Sequence, residues 1–226
     1  PRSHQGRDGT VLIQGVSSAD QDDSEGRDMK KRQVQKTAKK NIHIHNDISN
    51  TANHLRIRIE EMEAAGDRKG IALDITACLV MLAFTFESRL NFIGEKKLPD
   101  FKERRGFDKK VAKVLKALEL DPDFSKRPYS SIKELKDFRD TIAHGKPETV
   151  VIDELVDFQP GTDYDDFDLR GAWEACLNTD FMRQCSEDID GIWKEWLAAA
   201  EIDAHQTMTH GEYGITLLED FSAFDG

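Results

Sequence analysis

The stretch "FRDTIAHGK", residues 138–146, places an imidazole and a guanidinium close together in the chain. His144 carries an imidazole, the side chain that most often accepts or donates a proton in enzymes. Arg139 carries a planar fork of N–H donors that suits a phosphate group. Asp140, beside the arginine, is able to orient either side chain through a hydrogen bond. These residue types suit acid–base chemistry at a charged oxygen.

The spacing of the pair limits how such a site is built. Five positions along an ideal helix, at about 100° each, place Arg139 and His144 about 140° apart around the axis. The two side chains therefore cannot converge on one face as an i,i+4 pair does. Either the helix ends at Gly145 and unwinds there, or a second chain completes the site.

A structural role for the same two residues is the alternative. A basic residue in the last turn of a helix interacts favourably with the helix dipole, by about 0.3–1 kcal/mol, which accounts for His144. Arg139 lies at the edge of an apolar stripe, where its stem packs on the core and its head stays in water. The residue types and their spacing leave both interpretations open.

The sequence resembles the HEPN family (higher eukaryotes and prokaryotes nucleotide-binding domains). That family's motif is an arginine, a polar residue, three further residues and a histidine, here Arg139, Asp140, "TIA" and His144. "IKELKDFRDTIAHGKP" is similar to the family's motif helix. "FESRLNFIG" is similar to its preceding long helix, which often carries an acidic residue near an asparagine. The resemblance covers roughly residues 42–196 and is specific over 135–145 and, loosely, 83–94.

The resemblance implies an activity. Many members are metal-independent endoribonucleases that act as dimers, with the motifs of both subunits facing a shared cleft. Arg139 and His144 are then catalytic, Asp140 supports them, and the 2′-hydroxyl of RNA is the nucleophile. The products would be a 2′,3′-cyclic phosphate and a 5′-hydroxyl, and no metal or cofactor is expected. The alternatives are a catalytically inactive RNA-binding or dimerisation module with this fold, or a purely structural helical bundle.

Charge is unevenly distributed along the chain. The net charge is −11, but residues 148–226 hold 20 Asp and Glu against 3 Lys and Arg. The first 147 residues are therefore net basic, with basic residues concentrated in 27–40 and 96–116. A basic half is suited to phosphate contacts, although solvated helix faces have the same composition. The predicted RNA-binding residues are Lys146, Arg104, Arg105, Lys109 and Lys110.

The expected biological setting also follows from the resemblance. It implies a toxin, a phage-defence protein or a stress effector, which an inhibitory antitoxin protein could control. One subgroup of the family carries a tyrosine two residues after the histidine, which a nucleotidyltransferase antitoxin modifies. Lys146 occupies that position here, so this form of regulation is not implied.

The pattern of apolar residues predicts an all-α bundle of about five helices. A flexible arm is expected over residues 1–27, a helical domain over 28–200 and a C-terminal tail over 201–226. Within the domain we expect a long helix over about 28–65 and an apolar central helix over 71–93 that stops at Gly94. Two further helices are expected over 107–118 and from Ser130 or Ser131 to Gly145, and one or two over about 169–202. Residues 148–158 suit either a strand or a helix start.

Composition bounds the remaining possibilities. No run reaches the about 18 apolar residues of a membrane span, so no membrane partner is expected. Three cysteines without a CxxC pair predict a reducing, cytoplasmic setting. His43 and His45 in "NIHIHND" lie about 200° apart on a helix, which is a poor arrangement for metal ligands, whereas on a strand they would share a face.

Overall fold

The structure is a computed structural model that describes residues 33–155, 157, 160–161 and 168–218. The arm predicted for residues 1–27 lies outside the described residues, as do 219–226 of the predicted tail. The chain divides into two compact units. One spans residues 38–213, and the other includes, among described residues, 33–37 and 214–218.

The described part of the chain is mostly helical, as the sequence predicts. Its α-helices are α1 (Ile44–Ala64), α2 (Ile71–Lys97), α3 (Phe107–Ala117), α4 (Ser130–Ala143) and α5 (Thr179–Ala200). Short 3₁₀ helices cover Ala172–Cys176 and Ala204–Thr207. The boundaries of α3 and α4 agree with the predicted ones to within two residues. The segment 148–155, for which a strand or a helix was considered, forms neither.

Helix α2 is the centre of the helical unit. It packs against α1, α3, α4 and α5, and its buried side chains are apolar apart from Thr85 and Arg89. Its length and mean hydropathy would also let it cross a membrane, and it is the one helix among the described residues with that property. The core helix of a globular protein has the same composition because it is apolar around most of its circumference.

Gly94 does not end α2, contrary to the prediction. The helix continues to Lys97 and ends one residue before the dipeptide Leu98–Pro99. The glycine is required by packing instead. A Cβ added at Gly94 would lie 2.2–2.5 Å from atoms of the Phe101 ring. The chain that follows the helix folds back onto it at this point, and only a residue without a side chain leaves room for the aromatic ring.

The prediction of one helix from residue 28 to residue 65 is wrong for its first part. Residues Gln33–Asn41 form strand β1, and the helix begins only at Ile44. The periodic apolar residues start at Ile42, so the helical interpretation upstream depended only on the absence of proline and glycine. Exposed side chains along the whole of β1 agree with that lack of an apolar face.

The partner of β1 lies in the predicted tail. Residues His210–Leu218 form strand β2, and the two strands make a two-stranded sheet. At the end that belongs to the helical unit, the Asn41 side chain and the His210 ring are hydrogen-bonded at 2.8 Å. In the other unit, Thr37 Oγ1 donates to the Gly214 carbonyl at 3.5 Å. The described part of the predicted tail therefore contains regular secondary structure, including a strand that pairs with β1.

Candidate active site

Arg139 is positioned by the apolar stripe of α4. Ile132, Leu135 and Phe138 are buried and fix the helix against α2. Arg139 follows Leu135 by four residues and so lies at the edge of the same stripe. Its side chain is 20% exposed, and its Nη1 donates to Glu87 Oε2 at 2.8 Å. The guanidinium is thus held at the surface of the core by a carboxylate from the central helix.

The carboxylate of Glu87 joins Arg139 to a second cation. Lys110 Nζ on α3 donates to Glu87 Oε1 at 2.6 Å and to Asn91 Oδ1 at 2.9 Å. The Lys110 side chain is only 1% exposed. Each oxygen of Glu87 therefore binds a different cation, and three helices meet at one carboxylate. We refer to Glu87, Asn91, Lys110 and Arg139 as the Glu87 cluster.

The charges of the Glu87 cluster keep its acid ionised. Burial by itself would raise the pKa of Glu87, but the hydrogen bond and charge of Lys110 and the charge of Arg139 outweigh it. The net result is a pKa below the usual value. A carboxylate between two cations remains negatively charged at neutral pH, so the contact to Arg139 persists there as an ion pair.

Asp140 pairs with cations and not with His144. Its Oδ1 lies 3.0 Å from Arg139 Nε, although the N–H is not directed at it and stays without a hydrogen-bond acceptor. Its Oδ2 accepts from Lys136 Nζ at 3.1 Å. Burial opposes ionisation of Asp140, but Lys136 and Arg139 together lower its pKa. The carboxylate of Asp140 thus lies beside the guanidinium of Arg139, one of the two side chains that it was expected to orient.

His144 is the first residue after α4. Its backbone N–H donates to the Asp140 carbonyl at 2.9 Å, while its φ of −117° and ψ of 24° leave the helical region. The side chain is exposed, and its imidazole makes no hydrogen bond to any of the described residues. Among those residues, no hydrogen bond links the imidazole of His144 to the guanidinium of Arg139.

The predicted RNA-binding residues divide into two groups. Arg104, Arg105, Lys109 and Lys146 are exposed, as a role in phosphate binding requires. Lys110 is not, because its stem is buried and its amine is bonded to Glu87 and Asn91. The expectation that Lys110 contacts RNA is therefore wrong for this structure. It followed from treating residues 96–116 as one basic surface, whereas α3 turns this lysine inward.

Sequence reasoning missed the roles of Glu87, Asn91 and Lys136 in the site. A signal was present for the first two. Glu87 and Asn91 are polar residues one turn apart in an otherwise apolar central helix, so they share a face and need polar partners. Nothing in the sequence indicated that Lys110 and Arg139 would be those partners, because they lie on different helices.

A second polar feature lies elsewhere in the helical unit. A groove of about 760 Å³ is lined by residues including His43, Glu95, Lys96 and His210. His45 is buried behind it, and its ring contacts the Phe92 ring at a centroid distance of 4.7 Å. Burial, then the charges of His43 and Arg89, lower the pKa of His45 to about 4. Among described residues, no three histidine, cysteine or acidic side chains are grouped as metal ligands.

Comparison of the chain with protein-family models, with curated proteins and with solved structures gave no match.

Proposed function

We propose that this protein is a metal-independent endoribonuclease of the HEPN type that acts as a homodimer and uses Arg139 and His144. A toxin, phage-defence or stress-response role is the setting that the motif favours. Arg104, Arg105, Lys109 and Lys146 would bind the phosphates that flank the cleaved bond. An antitoxin protein would be its inhibitory partner.

The main support for this proposal is the set of contacts that the guanidinium of Arg139 makes. Glu87 engages Nη1, and Asp140 lies beside Nε, which leaves Nη2 without a partner in the described part of the chain. A structural arginine at a helix edge extends into water, whereas this one is hydrogen-bonded to Glu87, lies beside the carboxylate of Asp140 and keeps Nη2 for a ligand. A braced guanidinium with a remaining donor is suited to a phosphate oxygen.

The chemistry assigned to the site uses the substrate's own nucleophile. His144 accepts the proton of the 2′-hydroxyl, whose oxygen then attacks the adjacent phosphorus. Arg139 stabilises the negative charge that gathers on the phosphate oxygens. The bond from phosphorus to the 5′-oxygen breaks, and a protonated imidazole supplies the proton for that oxygen. The products are a 2′,3′-cyclic phosphate and a 5′-hydroxyl.

A dimer is proposed because Arg139 and His144 project about 140° apart on an ideal helix, and no hydrogen bond within the described residues joins them. His144 is exposed at the end of α4, and Arg139 faces α2. A two-fold axis near the ends of two α4 helices would place the histidine of one subunit by the arginine of the other. Such an isologous contact repeats the site twice.

The second candidate is an RNA-binding module of the same fold without catalysis. It is favoured by one observation, namely that no described side chain orients the His144 imidazole. A general base is normally held by a second group, as the catalytic histidine of a triad is held by its aspartate. In this alternative the Glu87 cluster serves stability and Arg139 serves phosphate binding only.

The two candidates are separated by the chemistry of the products. The protein is incubated with single-stranded RNA in excess EDTA, in parallel with RNA of the same sequence carrying 2′-O-methyl groups. The proposal predicts fragments ending in 2′,3′-cyclic phosphate from the first substrate and no cleavage of the second. Binding of both RNAs without cleavage of either would support the inactive module. Cleavage of the methylated RNA would contradict the 2′-hydroxyl mechanism.

A further inference from the structure

We propose that Lys110 is a positioning residue, which occupies one oxygen of Glu87 so that Glu87 holds Arg139 through a single nitrogen. The catalytic consequence rests on the proposed function, whereas the effect on the position of Arg139 does not. Lys110 itself does not touch the substrate. It acts through Glu87, on a guanidinium that must keep one donor free for phosphate.

The burial of Lys110 indicates a specific role. An ammonium group removed from water is strongly unfavourable unless it is paired and hydrogen-bonded. At 1% exposure, Lys110 uses two of its three donors on Glu87 and Asn91. Exposed ion pairs elsewhere in the chain, such as Lys126 with Asp123, need no such set of buried acceptors. An apolar residue in the same place would stabilise a helix interface with less difficulty.

The geometry of Glu87 explains what the lysine does. A free carboxylate facing an arginine frequently accepts two parallel N–H···O bonds, one to each oxygen. Here Oε1 belongs to Lys110 at 2.6 Å and only Oε2 binds Arg139, at 2.8 Å. Without Lys110, Glu87 would be free to bind both outer nitrogens of Arg139. That arrangement would use the donor that the mechanism assigns to the phosphate and would turn the guanidinium toward α2.

Asn91 fixes the lysine in this position. It follows Glu87 by one helical turn, so the two side chains present neighbouring acceptors from one face of α2. Lys110 bridges them at 2.6 and 2.9 Å, which sets where its amine sits along the helix. Lys110 and Asn91 together therefore define which oxygen of Glu87 remains for Arg139.

The test compares Lys110→Met, which shortens the side chain by one heavy atom and removes its charge, with Tyr129→Phe. The control removes a buried hydroxyl that bonds Glu195 and Trp196 at the other end of α4, and so imposes a destabilisation away from the site. Two quantities are measured in each variant. One is the side-chain ¹H–¹⁵N signal of Arg139, assigned by its loss in Arg139→Ala. The other is metal-free RNA cleavage, resolved into kcat and KM.

We expect the Arg139 signal to shift in Lys110→Met and to be unchanged in Tyr129→Phe. We expect kcat to fall about tenfold or more in Lys110→Met, since small misplacements of a catalytic group have effects of that size, while KM changes less than about twofold. Tyr129→Phe should keep the kcat of the unmodified protein. If Lys110→Met loses the circular dichroism of a helical protein, the same measurements are made on Lys110→Gln. The inference then requires that Lys110→Gln shifts the Arg139 signal and lowers kcat.

The outcomes distinguish this inference from the proposed function. An unchanged Arg139 signal in a folded Lys110 variant overturns the inference, whether or not the protein cleaves RNA. The unmodified protein could fail to cleave RNA while the Arg139 signal still shifts in Lys110→Met. That result contradicts the proposed function but supports the positioning of Arg139 by Lys110. Equal losses of kcat in Lys110→Met and Tyr129→Phe would indicate a general loss of stability and would also overturn the inference.

Discussion

Glu87 Oε2 lies 2.8 Å from Arg139 Nη1, and this contact ties the central helix to the helix that carries the motif. The other oxygen of the same carboxylate binds the buried Lys110 at 2.6 Å. A single acid on α2 therefore pairs with two cations from two different helices. The stability of the bundle and the position of the proposed catalytic arginine depend on the same group.

Replacing Glu87 with glutamine should destabilise the protein strongly. The variant keeps the shape of the side chain but leaves the buried Lys110 without a negative partner, which lowers the free energy of unfolding by about 3 kcal/mol. Urea unfolding at neutral pH measures the change. The matched control is Glu60→Gln, whose cationic partners Arg56 and Arg183 are far more exposed than Lys110, so it should change the free energy by less than about 1 kcal/mol.

The double variant Glu87→Gln with Lys110→Met tests the cause of that loss. Because it removes the unpaired charge along with its partner, it should recover part of the stability that Glu87→Gln loses. A double variant whose loss equals the sum of the two single losses would contradict the pairing.

Gly94 and Gly191 should respond oppositely to alanine, although both lie inside helices. In Gly94→Ala the new methyl group overlaps the Phe101 ring, which should lower the free energy of unfolding by about 1–3 kcal/mol. Nothing lies within 4 Å of a Cβ built at the exposed Gly191. Gly191→Ala should therefore stabilise α5 by about 0.5–1 kcal/mol. Thermal unfolding of both variants measures the signs, and a stabilising Gly94→Ala would contradict the close packing of Phe101 on α2.

Burial of His45 should make the protein less stable in mild acid. The unfolded chain takes up a proton at His45 near pH 6.5, whereas the folded chain resists protonation until about pH 4, because the pKa of the buried ring is lowered to that value. Stability that is present above pH 6.5 is therefore lost progressively as the pH falls toward 4, by up to about 3 kcal/mol. Unfolding free energies of the unmodified protein and His45→Gln, compared at the two ends of this range, measure the effect. An equal decline in both proteins would contradict it.

Much of the helical fold follows from local sequence patterns. The apolar stripes of α3 and α4 lie within single helices, so 3.6-residue periodicity predicted both to within two residues. The pairing of β1 with β2 could not be predicted in this way, because its hydrogen-bonded residues Asn41 and His210 are 169 positions apart. The role of Gly94 could not be predicted locally either, because the Phe101 ring reaches it only after the chain folds back onto α2.

The residue types of the candidate site could be predicted from the sequence, but the contacts between their side chains could not. The motif identified Arg139, Asp140 and His144, and the exposed basic residues agree with the charge pattern. The inward direction of Lys110 could not be inferred from its position in a basic run, because only the packing of α3 on α2 determines it. The site thus depends on contacts between residues of different helices, and these residues are far apart in the sequence.

Mixing two inactive variants tests the proposed dimer. If each site takes Arg139 from one subunit and His144 from the other, a heterodimer of Arg139→Ala with His144→Ala has one intact site. Random exchange of subunits should then restore about a quarter of the original cleavage rate. Cleavage is measured before and after joint unfolding and refolding of the mixture. No recovery, with heterodimers detected by native mass spectrometry, would place both residues of each site on one chain.

The most direct test of the account compares RNA cleavage by the unmodified protein, Arg139→Ala and His144→Ala in excess EDTA. His144 is exposed, and in Arg139→Ala the carboxylate of Glu87 still has Lys110 as its partner. Both variants should therefore fold, which circular dichroism checks. The account predicts cleavage by the unmodified protein and a rate at least about a hundredfold lower in each variant. Cleavage that is equal in all three proteins would contradict the assignment of Arg139 and His144 as the catalytic pair.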